Sequence, residues 1–138
     1  MSLQLNNPSL LRQQAYVNGQ WCEADNGART EIRNPATDEV IGSVPNMGRA
    51  ETRRAIEAAQ IAQPAWRALT AKERANRLRQ WFNLIMANQE DLARIMTAEQ
   101  GKPLVEARGE IAYAASFIEW FAEEAKRAYG DVIPAHAG

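Results

Sequence analysis

Between Ile111 and Ala122 almost every residue is apolar, aromatic or small, and only Ser116 and Glu119 interrupt the run. At helical spacing the segment carries two stripes. Leu104, Ala107, Ile111, Ala114, Ala115, Ile118, Phe121, Ala122 and Ala125 form the first; Tyr113, Phe117 and Trp120 form a second, displaced around the helix. A helix apolar on nearly all sides is normally buried on nearly all sides. Any fold for this chain must therefore cover its last helix twice over. Leaving the three aromatics of the second stripe bare forgoes roughly 1.5–3 kcal/mol each.

The rest of the chain offers limited cover. Its 138 residues suit one domain and not two. Residues 1–47 hold most of the turn chemistry. Asn18-Gly19 lies between Ala15–Val17 and Gln20–Cys22, and Asn-Gly between β-forming residues is a strong hairpin signal because both turn positions take positive φ. A second hairpin is expected from residues 30–33 and 40–44 around Asn34-Pro35. The four strands are short and thinly apolar, a small sheet that needs something to lie on.

Residues 48–130 read as four helices and 131–138 as a tail. The first is expected over 49–62, with Ala55, Ala58, Ala59, Ala62 and Trp66 on one side and Pro64 ending its regular part. Thr70-Ala-Lys-Glu73 is a capping box for a helix to 87, with Leu78, Trp81, Phe82 and Ile85 inward. A third runs over 89–100, with Leu92, Ile95 and Met96 inward, and is stopped by Gly101 and Pro103. The fourth spans 103–129, with Gly130 as its left-handed cap. The class is α+β, with hairpins first and helices after. Three helices and a weak sheet cover one stripe of the last helix, so the chain reads as part of something larger.

Chemistry-bearing motifs are scarce. Sixteen Lys+Arg stand against seventeen Asp+Glu, so no basic excess points to nucleic acid or a membrane surface. One cysteine excludes an internal disulfide framework and a Cys-rich zinc site. No Gly-rich phosphate cradle occurs, and the lone His136 stands near the C-terminus. Cys22 sits among Trp21, Glu23 and Asp25, whose anionic charge disfavours a thiolate, and reads as a packing or surface cysteine. Arg49, Arg53 and Arg54 alternate with Glu51 and Glu57 as a mixed solvated face. No residue qualifies as catalytic, as cofactor-binding or as a metal ligand. No basic-then-apolar leader precedes the hairpins and no apolar run approaches the roughly 20 residues of a membrane span, so a cytoplasmic location is expected.

Several strings, taken in order, are more specific. Tyr-Val-Asn-Gly-Gln-Trp (16–21), Asn-Pro-Ala-Thr-Asp-Glu-Val-Ile-Gly-Ser-Val-Pro (34–45), Pro-Ala-Trp-Arg (64–67), Glu-Gln-Gly-Lys-Pro-Leu-Val-Glu-Ala (99–107) and Gly-Glu-Ile-Ala-Tyr-Ala-Ala-Ser-Phe-Ile-Glu-Trp-Phe-Ala-Glu-Glu-Ala (109–125) span essentially the whole chain. Together they resemble the opening segment of NAD(P)-dependent aldehyde dehydrogenases, and most of all the succinate-semialdehyde branch.

That resemblance implies an incomplete part of an α/β, Rossmann-like nucleotide-binding domain, whose parallel strands come later in a longer polypeptide. It implies NAD or NADP in the complete enzyme, a small aldehyde substrate, a homo-oligomer, and the remainder of the polypeptide as cover for the second stripe. Carried over by position, Gly109, Tyr113 and Phe117 would face the aldehyde tunnel, with Glu110 at its rim. The nucleophilic cysteine, the general-base glutamate and the dinucleotide cradle match nothing here, so the chain alone is expected to bind no cofactor and to be inactive. The competing expectation is a non-catalytic interaction module that docks on a full-length relative.

Overall fold

The Asn18-Gly19 turn has the geometry its chemistry demands, with φ of 51° and 78°. It joins β1 (Ala15–Val17) to β2 (Gln20–Cys22) in antiparallel pairing, and the Tyr16 and Trp21 rings meet across the ribbon with centroids 5.0 Å apart. β3 (Arg29–Arg33) pairs antiparallel with β4 (Val40–Pro45), with a shift of register between Ile32 and Arg33. In the connecting turn the Asn34 carbonyl accepts the Asp38 N–H at 2.8 Å. This computed structural model describes residues 3–136. Residues 1, 2, 137 and 138 of the expected leading segment and tail lie outside the described residues.

The single small sheet expected from the four strands is instead two separate two-stranded ribbons. A two-stranded ribbon is marginal by itself, and polar ties supply what apolar area does not. Arg29 donates to Ser43 Oγ at 2.8 Å, to the Ser43 carbonyl at 2.8 Å and to the Gln13 carbonyl at 2.6 Å. The Gln13 side chain accepts the Ser43 N–H at 2.9 Å. The approach to the hairpins thus becomes a brace for the second of them.

Four helices follow: α1 (Arg49–Ala68), α2 (Ala71–Ala87), α3 (Gln89–Gln100) and α4 (Leu104–Glu124). The Thr70–Glu73 box opens α2, with Glu73 N–H to Thr70 Oγ1 at 3.2 Å and Thr70 N–H to Glu73 Oε2 at 2.8 Å. Gly101, at φ 74°, closes α3. Two boundaries differ from expectation. Pro64 lies inside α1, because that helix is exposed along most of its length and water can serve the carbonyl that proline leaves unpaired. α4 stops at Glu124, and Gly130 keeps its positive φ in the tail beyond rather than as a cap.

α4 packs on α2 and α3, and the core between them is made of small side chains. Ala75, Ala93, Ala98, Ala107, Ala115 and Ala122 are buried, and no larger side chain is fully so among the described residues. Alanine-lined contacts let helix axes approach closely, but they make the buried strip of α4 narrow. Ala114 and Phe121, expected inward, therefore fall outside it and are exposed. Trp81 is likewise exposed. The buried face of α2 is rotated toward Ala75 and Arg79, whose guanidinium spans Glu119 at 2.6 Å and Glu123 at 2.7 Å on α4. On α1, Ala55 and Ala58 are half-buried beside the Asn18-Gly19 turn, whereas Ala59, Ala62 and Trp66 are exposed.

Two buried carboxylates tie early chain to late. Glu51 accepts the Asp25 N–H at 3.0 Å and the Gly48 N–H at 3.0 Å, and these bonds, the Asp25 amide foremost, hold its pKa below the usual range. Asp91 accepts the backbone N–H of Asn6 at 2.9 Å and of Asn7 at 2.8 Å, fastening the leading segment to the first turn of α3.

Candidate functional site

Turning by about 100° per residue, α4 sets Gly109, Glu110, Tyr113, Phe117 and Trp120 on the side opposite Ala107, Ala115 and Ala122. The structure leaves that side bare: Tyr113 is 63% exposed, Phe117 48%, Trp120 61% and the flanking Phe121 58%. The four residues singled out from the sequence, Gly109, Glu110, Tyr113 and Phe117, thus share one outward strip. Tyr113 and Phe117 meet edge to face, with centroids 4.9 Å apart and planes at 76°. That arrangement suits the opposed charge of ring edge and ring face. Above Gly109 there is open space, with nothing within 4 Å of where a Cβ would stand.

The electrostatics of the strip run from acid to base. Near its start Glu110 receives the Lys102 ammonium at 2.5 Å, and Glu106 has no ion pair among the described residues. At its far end Arg127 pairs with Glu124, and Lys126 pairs with Glu123 at 2.6 Å. Lys126 is the first cause, and Arg79 the second, of a Glu123 pKa below the usual carboxylate range. Ser116, Phe117, Trp120, Phe121 and Arg127 border an open hollow of about 680 Å³ beside the strip. Sequence reasoning missed the contributions of Phe121 and Lys102 here. Phe121 was assigned to the inner stripe, and Lys102 reaches Glu110 across the start of α4, a contact that spacing alone does not reveal.

Chemistry elsewhere is sparse. Cys22 is half-buried on β2, its Sγ 3.4 Å from the Ala15 carbonyl. His136 is exposed in the tail. No group of three or more His, Cys, Asp or Glu suited to a metal ion occurs among the described residues, and no described helix is long and apolar enough to cross a membrane. A dinucleotide needs free backbone N–H groups at a glycine-rich turn. Here Glu51 occupies the amide at the head of α1, the Thr70–Glu73 box closes α2, and α4 opens on Pro103. The residues present do not form such a cradle.

Comparison with known proteins gives this geometry a setting. Residues 21–138 match the aldehyde dehydrogenase family. The chain is 71% identical over 134 residues to glutarate-semialdehyde dehydrogenase of Pseudomonas aeruginosa, covering 97% of this chain and 28% of that protein. It is 65% identical over 134 residues to succinate-semialdehyde dehydrogenase [NADP(+)] GabD of Escherichia coli, with the same coverage. A crystal structure of an NADP-dependent enzyme of E. coli superposes with a TM-score of 0.95 at 65% identity, covering 96% of this chain and 28% of that one. The chain thus spans about 28% of the length of the relatives it matches, and its α+β arrangement of strand pairs and four helices corresponds to the N-terminal part of those structures.

Proposed function

Because the chain belongs to the aldehyde dehydrogenase family, we propose that it is the amino-terminal part of an NAD(P)-dependent enzyme that oxidises succinate semialdehyde, or a closely similar carboxylated aldehyde, to the acid. The two named relatives support the substrate class, since glutarate and succinate semialdehydes each carry a carboxylate at the end away from the aldehyde. On this reading residues 1–47, 48–130 and 131–138 all belong to the nucleotide-binding domain.

The contribution of these residues is shape. The outward strip of α4 is the surface on which the rest of the polypeptide packs, and Gly109, Tyr113 and Phe117 form one wall of the path to the reacting thiol, with Glu110 at the rim. The observation that carries this is the Tyr113–Phe117 pair, two large rings held edge to face and left in solvent on the side opposite the core. Such a pair is rigid, and a rigid wall positions an aldehyde without loss of side-chain freedom on binding. The missing side chain at Gly109 leaves room for substrate to pass.

The oxidation needs a thiolate nucleophile and a general base. Cys22 has neither a neighbouring base nor an oxyanion site, so the 138-residue chain by itself is inactive and holds no NAD or NADP. In the complete enzyme the nucleotide accepts the hydride; nothing in this chain supplies that step. The complete protein is a cytoplasmic homo-oligomer, without nucleic-acid or membrane partners. The same bare strip also favours a second reading, a module docking on a full-length relative, which co-elution with that relative would support.

A chimera tests the main reading. Residues 1–138 replace the matching segment of the P. aeruginosa glutarate-semialdehyde dehydrogenase, and oxidation of succinate and glutarate semialdehydes is followed with NAD+ and NADP+. The proposal expects an active chimera with succinate semialdehyde preferred, and Phe117→Ala raising KM more than it lowers kcat. A folded chimera that oxidises neither aldehyde contradicts it.

A further inference from the structure

The strip on α4 has a polarity that its packing role does not use. Its acidic end holds Glu106, without an ion pair among the described residues, and Glu110; its basic end holds Lys126 and Arg127; Tyr113, Phe117 and Trp120 lie between. Glu106, Glu110, Tyr113, Phe117, Trp120, Glu124 and Arg127 recur at alternating spacings of four and three, the spacing of a helix–helix seam. A second copy laid parallel would set acid on acid and base on base. Laid antiparallel, it sets aromatics on aromatics and each acidic end on a basic one.

From this we infer that two copies of the 138-residue chain associate through α4, antiparallel, in an isologous two-fold dimer. The like charges brought near each other, Glu110 and Glu123, are already answered by Lys102 and by Arg79 with Lys126. The internal Arg127–Glu124 pair is exposed, and such pairs contribute little, so Arg127 is free to exchange partners. Four half-exposed aromatics on each copy offer about 100 Å² apiece, on the order of 800 Å² in all. A contact of that size belongs to the weak, reversible class. The inference concerns this chain alone and stands or falls apart from the activity of any longer enzyme.

Sedimentation velocity over about 1–300 μM, the range in which a weak contact assembles, reads the outcome. The unmodified chain should pass from monomer to dimer with rising concentration, and Trp120→Ser, on an exposed position, should weaken association about tenfold with helix content unchanged. Lys126→Glu with Arg127→Glu, and separately Glu106→Lys with Glu110→Lys, should each weaken self-association, while mixing the two charge variants restores a dimer. Trp81→Ala on α2 should change nothing. A chain that stays monomeric throughout, open-ended aggregation without a dimer plateau, or a dimer indifferent to Trp120→Ser would each overturn the inference.

Discussion

Gly101 and Pro35 meet so closely that a Cβ on Gly101 would stand 2.9 Å from the Pro35 Cγ. The contact brings together two strings far apart in sequence, Asn34-Pro35-Ala36-Thr37 in the second hairpin and Glu99-Gln100-Gly101-Lys102-Pro103 between α3 and α4. Gly101 also holds φ 74°, which side-chain-bearing residues adopt only at a cost. Gly101→Ala therefore meets steric and backbone penalties together, and should lower stability by about 1–3 kcal/mol in chemical denaturation.

Gly109 presents the reverse case. It is helical, exposed and faces open space. Gly109→Ala should stabilise the chain by about 0.5–1 kcal/mol, since glycine loses more freedom in a helix than alanine does. In the chimera the same change should raise KM, because the added methyl narrows the proposed path. Gain of stability with loss of affinity separates a functional glycine from an indifferent one.

The legibility of this fold followed local chemistry. Asn18-Gly19, the Thr70–Glu73 box and the Gly101-Pro103 stop depend on a few adjacent residues, and each lies where the sequence sets it. What long-range packing decides was not legible. Trp81 turns outward because Arg79 reaches Glu119 and Glu123, and Phe121 turns outward because alanines make the buried strip narrow. The bareness of Tyr113, Phe117 and Trp120 was readable from spacing, since no other segment had the apolar area to cover them. Their place beside an aldehyde path came from the family resemblance alone.

Glu90 receives two guanidinium groups, from Arg108 at 2.7 Å and Arg94 at 3.0 Å, and bonding to Arg108 first and Arg94 second lowers its pKa from 4.5 to about 2. A depressed carboxylate contributes stability that is fully present above pH 4.5 and is lost as pH falls toward about 2. Glu90→Gln should flatten the acid limb of the stability profile in that window, measured by urea melts. An unchanged limb would place the acid sensitivity elsewhere.

Asp91 is the buried acceptor for the amides of Asn6 and Asn7. Asp91→Ala leaves both donors without their partner, so hydrogen exchange at Asn6 and Asn7 should accelerate well before exchange in the centre of α4 does. Uniform acceleration across the chain would instead mean that the leading segment and the core open together.

Ala115 is fully buried where α4 meets its neighbours. Ala115→Leu should destabilise by about 1–3 kcal/mol through overpacking, although it adds apolar area. A neutral or stabilising result would show that the helices move apart readily.

Radical footprinting of Tyr113, Phe117 and Trp120 bears most directly on the claim that the outer side of α4 awaits cover from further polypeptide. In the dilute chain, below the concentration at which copies associate, all three should be modified readily; in the chimera with the relative's remaining sequence they should be protected several-fold. Equal modification in both would mean that the longer polypeptide leaves this face in water, and the account would be wrong.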